Sequence, residues 1–527
     1  MSTKHTKVTF STDARSKLLN GMDIVAKAVG CTLGPRGKLV LIQKEGSAPI
    51  ITKDGVTCSK AIVLKDPIER MGAHLIQEAA SMTNDLAGDG TTTSTVLTHA
   101  MVTDGAFKLA AGYPAIKLIE GIQRAEKFIT GYIKEAAKKL DTRESLLAIA
   151  TISANNDHTI GELIAQAFDK VGQSGIITVE DAKGMTTSLD VVEGLQFERG
   201  YLSPYFVNNS DKMQSVYTDA LVLITDRKIS LAKDLIPALE AAGQTGKALL
   251  VVADDVVDEA LQTLVLNRTK GNLKVCAVKA PGYGDHKIEL LQDMAILTGA
   301  TLISSAAGHS LDKVNVRQLG TVKKFVVDRG FTTLVGDGKT KTAVEARLVE
   351  LHEQLTDITL PPENATKLRV RSARLAGGVA VIKVGGATEL EMVERKYRIE
   401  DALHATRAAI EEGVLPGGGA FLARVIKGLP KSEDVEVNAG MQIVATACLA
   451  PLRQIVTNAG GSPDVIMSQL VTASPLAGFN ALSGEFVDMI EAGIVDPAKV
   501  TRLAIKHASS VACTFLNLDA VVVEEDV

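Results

Sequence analysis

Apolar residues Leu18, Leu19, Met22, Val25, Ala26 and Val29 recur at helical spacing, and the pattern stops at Gly34-Pro35. Two short β-like runs follow at 39–42 and 50–52; Gly46 and Pro49 lie in their connection, which predicts a hairpin. A long helix is predicted from near Thr91 towards Ala111, ended by Gly112 and Pro114, with another over 115–140. Near residue 190 the texture changes. Aliphatic runs at 221–225, 248–253, 273–278, 301–304 and 325–327 interleave with helical patterns at 232–242, 258–268 and 287–297. That alternation is the mark of an α/β domain, with glycine-marked ends at Gly194 and Gly377-Gly378. After residue 390 the chain reads as helical again.

Composition narrows the function classes. The chain has 527 residues and a net charge of −5, which suits roughly three domains and argues against a nucleic-acid partner. No uninterrupted apolar run reaches the ~20 residues that span a bilayer, so no membrane partner is expected. Residues 1–10 are polar, with no apolar targeting segment. Trp is absent, so stacking platforms are scarce. Cys31, Cys58, Cys276, Cys448 and Cys513 are scattered, which fits a reducing compartment without a disulfide framework.

The most informative motif is Gly88-Asp89-Gly90-Thr91-Thr92-Thr93, at the expected start of a helix. Glycines let backbone approach a ligand, and a helix N-terminus offers unsatisfied N–H groups to an anion. Asp89 beside a phosphate makes sense with Mg²⁺ between them. The plainer alternative is an N-cap, with Asp or Thr satisfying the backbone donors. Thr32-Leu33-Gly34-Pro35-Arg36-Gly37-Lys38 is a basic turn that could wrap phosphates or simply stop a helix. Lys53-Asp54-Gly55 reads as a charged turn, and Gly417-Gly418-Gly419 as either a ligand contact or a linker. Asp401 could orient water, or belong to a solvated helix face. The P-loop and Rossmann spacings fail: Thr333 and Ala241 replace required glycines, and Thr93 breaks the G-x-G-x-x-G.

Taken together, these motifs resemble group I (GroEL-like) chaperonins. Thr-Leu-Gly-Pro at 32–35, Lys-Asp-Gly at 53–55, Gly-Asp-Gly-Thr-Thr-Thr at 88–93, Glu-Asp-Ala-Leu-His-Ala-Thr-Arg at 400–407, Gly-Gly-Gly at 417–419 and Val-Asp-Pro-Ala-Lys-Val-Thr-Arg at 495–502 occur in the family's order. Between them, 199–206 and 278–284 also look like that family, so the likeness runs along nearly the whole chain.

The resemblance implies a multidomain fold of α+β and α/β parts. A mainly helical equatorial ATP-binding domain would comprise 1–135 and 412–527. A small α/β intermediate hinge domain would comprise 136–192 and 379–411, and an α/β apical domain 193–378. It implies an ATPase that captures non-native polypeptides and folds them in a ring chamber; the alternative is a ring-forming holdase or scaffold with residual ATPase. Nucleotide would contact Thr32, Leu33, Gly34, Pro35, Lys53, Asp89, Gly90, Thr91, Thr92, Thr93, Gly418, Asn480, Ala481, Leu482 and Asp496. Asp89 would bind Mg²⁺, K⁺ would lie beside the phosphates, and Asp54 and Asp401 would serve hydrolysis. Tyr201, Tyr205, Phe206, Ile236, Leu239, Leu261, Val265 and Leu266 would form an exposed apolar groove for substrate. Implied partners are further copies in a ring, typically of seven, in one ring or two, and a GroES-like co-chaperonin. The implied location is the cytoplasm, of a bacterium or of a host if the chain is virus-encoded. Val521-Val522-Val523 would serve as an inter-subunit strand. Departures from the family are Leu482 to Glu485 and the lack of a Gly-Gly-Met tail.

Overall fold

The computed structural model describes residues 5–43, 49–140, 142–154, 157–172, 175–182, 184–192, 194–210, 212–271, 273–304, 306–355 and 362–525. Contacts gather into two units, one from residues 1–165 and 387–527, the other from 166–386.

The first unit is a helical assembly. Its core is formed by helices Ser11–Gly30, Pro67–Ala87, Thr91–Ala110, Ala115–Ala136, Val435–Cys448 and Ala498–Asn517. Met22, Val25, Ile76, Leu97, Met101, Ile122, Ile129, Val444 and Phe515 are buried there, Met22 and Val25 at the helical spacing read from the sequence. The run Val435–Asn458 is long and apolar enough to cross a membrane, but 61% of its most apolar window is buried inside the structure, as in a core helix. The helix expected over 115–140 stops at Ala136. The chain turns extended at Ala137, and Lys138 forms a two-way backbone pair with Val414 at 2.9 and 2.8 Å. The hairpin is present, with Val40–Ile42 antiparallel to Ile50–Thr52; Gly46 lies outside the described residues. Strand Ala520–Glu525 pairs within the same chain, antiparallel to His5–Phe10, in a two-stranded ribbon. Among the described residues its other edge has no strand partner, so the inter-subunit role expected for Val521–Val523 stays untested by this pairing. Val521 and Val523 pack into the helical core while Val522 faces outward.

The second unit is built on a six-stranded sheet. Its order is Val275–Lys279, Ala248–Ala253, Ser215–Ile224, Gly320–Val327, Thr332–Val335, Gly194–Phe197. The first three strands are parallel and the rest antiparallel. Continuous aliphatic runs such as Ala248–Ala253 are buried on both faces, as central parallel strands must be. Helices Asp258–Thr269 and Gly284–Thr298 occupy the expected intervals. The pattern at 232–242 splits: a 3₁₀ turn at Ala232–Asp234 precedes helix Ile236–Thr245, because Pro237 fits only a first helical turn. The 301–304 run supplies only a single bridge, Ile303 to Thr225. A second, three-stranded sheet has Val379–Val384 between Ile176–Asp181 and Ser188–Val192.

Candidate functional site

The first unit contains a cavity of about 1200 Å³. Every nucleotide-contact and hydrolytic residue expected from the sequence lines it, although the chain brings them from seven separate segments.

Thr32, Leu33, Gly34 and Pro35 come from the turn that ends helix Ser11–Gly30. Gly34 adopts φ +83°, a left-handed conformation that favours glycine. Asn458 fastens this turn, its side-chain amide donating to the Gly30 and Leu33 carbonyls at 3.0 and 2.8 Å. Arg36 reaches across to the Leu482 carbonyl at 2.8 Å. Lys53 follows the hairpin strand Ile50–Thr52, and burial, then the Arg398 charge, pushes its pKa down. Asp54 is the N-cap of helix Gly55–Lys60. Its carboxylate accepts from Val56 N at 3.2 Å, Thr57 N at 2.8 Å and Thr57 Oγ1 at 2.6 Å.

Asp89 sits between two left-handed glycines, Gly88 at φ +72° and Gly90 at φ +84°. A β-carbon on Gly90 would meet Val500 Cγ1 at 2.3 Å, so only glycine lets the turn come this close to helix Ala498–Asn517. Helix Thr91–Ala110 begins immediately after, and its N-cap residue, Gly90, supplies no side-chain cap. The N-cap alternative holds in part: Asp89 Oδ1 accepts from Gly90 N at 2.5 Å, one backbone donor at the helix start. Thr91, Thr92 and Thr93 line the cavity with a helix N-terminus lacking a side-chain cap, the arrangement that favours an anion.

Gly418, at φ +63°, and Gly419, at φ +75°, bring backbone amides near Asp496 that favour its ionised form. Burial, then the charge of Asp89, nevertheless pushes the Asp496 carboxyl up to about 6. Burial raises Asp89 as well, with Asp54 adding to it and the Gly90 amide opposing. Asn480, Ala481 and Leu482 form the rim opposite Arg36, Asn480 accepting from Leu482 N at 2.9 Å. Asp401 enters from helix Glu389–Glu412.

Carboxylates crowded enough to raise one another's pKa form a site that favours a cation. Among the described residues, no three His, Cys, Asp or Glu side chains gather to hold a metal by themselves. That donor set suits Mg²⁺, which takes one or two carboxylates and completes its shell with phosphate oxygens and water. Sequence reasoning missed Thr57, Arg398, Ile455 and Phe479, all in the wall. Arg398 lies three residues before Asp401, hence on the same helical face, and that spacing could have found it. Ile455 and Phe479 carry no such signal, since they look like ordinary core positions.

The eight residues expected to form the substrate groove divide. Tyr205, Ile236 and Leu266 are 68%, 47% and 52% exposed. Tyr201, Leu261 and Val265 are half-buried against the sheet core. Phe206 and Leu239 correct the expectation: at 0% and 8% exposure they are core. Phe206 ends the 3₁₀ turn Pro204–Phe206 pointing inward, and Leu239 lies with Ala238, Ala241 and Ala242 on the packed face of its helix.

A helical unit with this cavity, interrupted in sequence by an α/β unit, defines a chaperonin-type chain. The model of the TCP-1/cpn60 chaperonin family matches residues 25–526, and the chain belongs to that family. Among solved structures it is similar to the chaperonin gp146 from the bacteriophage EL 2 (Pseudomonas aeruginosa), crystallised in the presence of ATP-BeFx. Crystal form II gives a TM-score of 0.69 at 23% identity, covering 98% of this chain and 99% of that one. Crystal form I gives 0.63 at 24% identity, with the same coverage.

Proposed function

We propose that this chaperonin-family chain is an ATP-driven folding machine, hydrolysing ATP in the cavity of its first unit and capturing non-native polypeptides on the apolar groove of its second. The observation that carries the reading is the side-chain-uncapped helix start at Thr91, which shares one cavity with Asp54, Asp89, Asp401 and Asp496. The ATP analogue present with gp146 supports it.

Thr91 to Thr93 and the 32–35 turn bind the phosphates, and Lys53 adds positive charge. Ile455 and Phe479 pack against the nucleoside between Gly418 and Asn480–Leu482. Asp89, beside Asp496, would hold a Mg²⁺, which would supply charge neutralisation at the phosphates; K⁺ is a further proposed ion there. Asp401 orients the attacking water and accepts its proton, the general-base role, with Asp54 close to the same water. The three-domain division, with an equatorial part at 1–135 and 412–527, a hinge at 136–192 and 379–411 and an apical part at 193–378, belongs to this proposal. So do the ring, a co-chaperonin partner and a cytoplasmic location.

Single-turnover hydrolysis of ATP tests the assignment. Asp401→Ala should keep nucleotide affinity and slow hydrolysis ~10²–10⁴-fold. Unchanged hydrolysis removes Asp401 from the mechanism. No hydrolysis by the wild type, with aggregation still suppressed, favours the holdase.

A further inference from the structure

Beneath the Asp89 turn lies a polar cluster that the proposed chemistry does not use. Thr83, Ser94 and His507 are buried, at 0%, 0% and 3% exposure. They come from three helices: Pro67–Ala87, Thr91–Ala110 and Ala498–Asn517. Thr83 Oγ1 is the hub. It lies 2.9 Å from His507 Nδ1 and 3.2 Å from Ser94 Oγ. Both hydroxyls reach the Ala79 carbonyl, Thr83 at 2.8 Å and Ser94 at 3.1 Å. Burial, then the charges of Lys506 and Arg502, pushes the His507 pKa down, which favours the neutral ring. A consistent hydrogen assignment follows: Thr83 and Ser94 both donate to the Ala79 carbonyl, and His507 Nδ1–H donates to Thr83 Oγ1, with Ser94 Oγ in contact with Thr83 Oγ1.

Thr83 and Ser94 flank the Gly88-Asp89-Gly90 turn almost symmetrically, six residues before Asp89 and five after it. The same helix that supplies His507 supplies Val500, which abuts Gly90. An apolar core at this junction would tolerate sliding of one helix along another. A satisfied polar hub does not, because every other register leaves a buried donor or acceptor without its partner.

We propose that His507, through Thr83 and Ser94, is a positioning residue that sets the register of the two helices flanking Asp89 and so aims the Asp89 carboxylate and the Thr91–Thr93 amides at the nucleotide phosphates. The inference rests on the nucleotide reading of the cavity.

The test is calorimetric titration of the full chain with Mg·ADP, joined to amide hydrogen exchange over residues 88–92. His507→Leu removes the Nδ1 donor, and Thr83→Val removes the hub at constant volume. His507→Asn keeps an N–H near the Nδ1 position. His507→Leu and Thr83→Val should each weaken Mg·ADP roughly ten-fold and speed exchange over 88–92 while residues 166–386 stay unchanged. His507→Asn should stay within about two-fold of wild type. Thr83→Val carries the test if His507→Leu fails to fold. Wild-type affinity in Thr83→Val, or an Asn variant as weak as the Leu variant, overturns the inference alone. A wild-type chain that binds no nucleotide overturns the function proposed above and the inference with it.

Discussion

Asp54 closes the first turn of its helix with both carboxylate oxygens, so removing it changes stability as well as chemistry. Asparagine caps about as well as aspartate, whereas alanine costs about 0.5–2 kcal/mol. Asp54→Asn should therefore unfold within about 0.5 kcal/mol of wild type yet release phosphate more slowly. Equal phosphate release by the two would leave Asp54 only its cap. Asp496 makes a different kind of prediction. Its carboxyl titrates at about 6 in the folded, nucleotide-free chain, against about 3.9 in an unfolded one. Between those values the folded state holds the extra proton, so stability from this group falls as pH rises from about 4 to about 6. Asp496→Asn removes that slope. Its unfolding midpoint should match wild type near pH 4 and exceed it above pH 6, while nucleotide affinity drops. A midpoint difference that is flat across this range would show that Asp496 is ordinarily ionised. At this scale the anionic and glycine-rich contacts were legible because each needs an unusual residue type: φ near +80° at Gly90, or a carboxylate where phosphates are expected. Phe479 and Ile455 were not, because an apolar wall for a ligand uses the same side chains as a core.

At the scale of elements, boundaries were legible where the chain carries its own stop signals. Helix Thr91–Ala110 begins after a left-handed glycine and ends before Gly112 and Pro114, and sequence and structure agree there within a residue. Long-range pairing was not legible. Nothing local to Ala137 says that Lys138 will pair with Val414, and nothing local to Val521 says that residues 5–10 will cover it. The 5–10 and 520–525 ribbon yields a sharp contrast. Val523 is buried and Val522 is 57% exposed, although they are adjacent. Val523→Asp buries an unpaired carboxylate at a cost of several kcal/mol, and Val522→Asp should stay within about 0.5 kcal/mol of wild type. Chemical denaturation of both variants measures this; a larger loss for Val522→Asp than for Val523→Asp would mean that the strand is held in another register, since a one-residue slip exchanges the two faces.

At the scale of the whole molecule the proposed function needs several chains. Three exposed anchors, Tyr205, Ile236 and Leu266, give each subunit a small apolar surface. Each anchor contributes ~1.5–3 kcal/mol when buried, before ordering costs. A single subunit would thus hold an unfolded chain weakly, and tight capture follows only when several subunits engage one substrate, because later contacts are effectively intramolecular. Sedimentation with ATP present should therefore show rings, and a monomer at micromolar concentration would remove the basis for cooperative capture. The division of the groove residues then separates capture from folding. Tyr205→Glu and Leu266→Ser alter exposed side chains, so both variants should assemble, keep basal ATP hydrolysis and lose capture of a denatured protein. Phe206→Ala empties a fully buried site and should cost ~3–5 kcal/mol, lost as stability of the second unit rather than as a selective binding defect. The measurement is aggregation suppression beside thermal unfolding for all three variants. If Tyr205→Glu and Leu266→Ser still suppress aggregation, substrate binds elsewhere on the subunit. If they unfold as Phe206→Ala does, their side chains support the fold and the groove has no separate role.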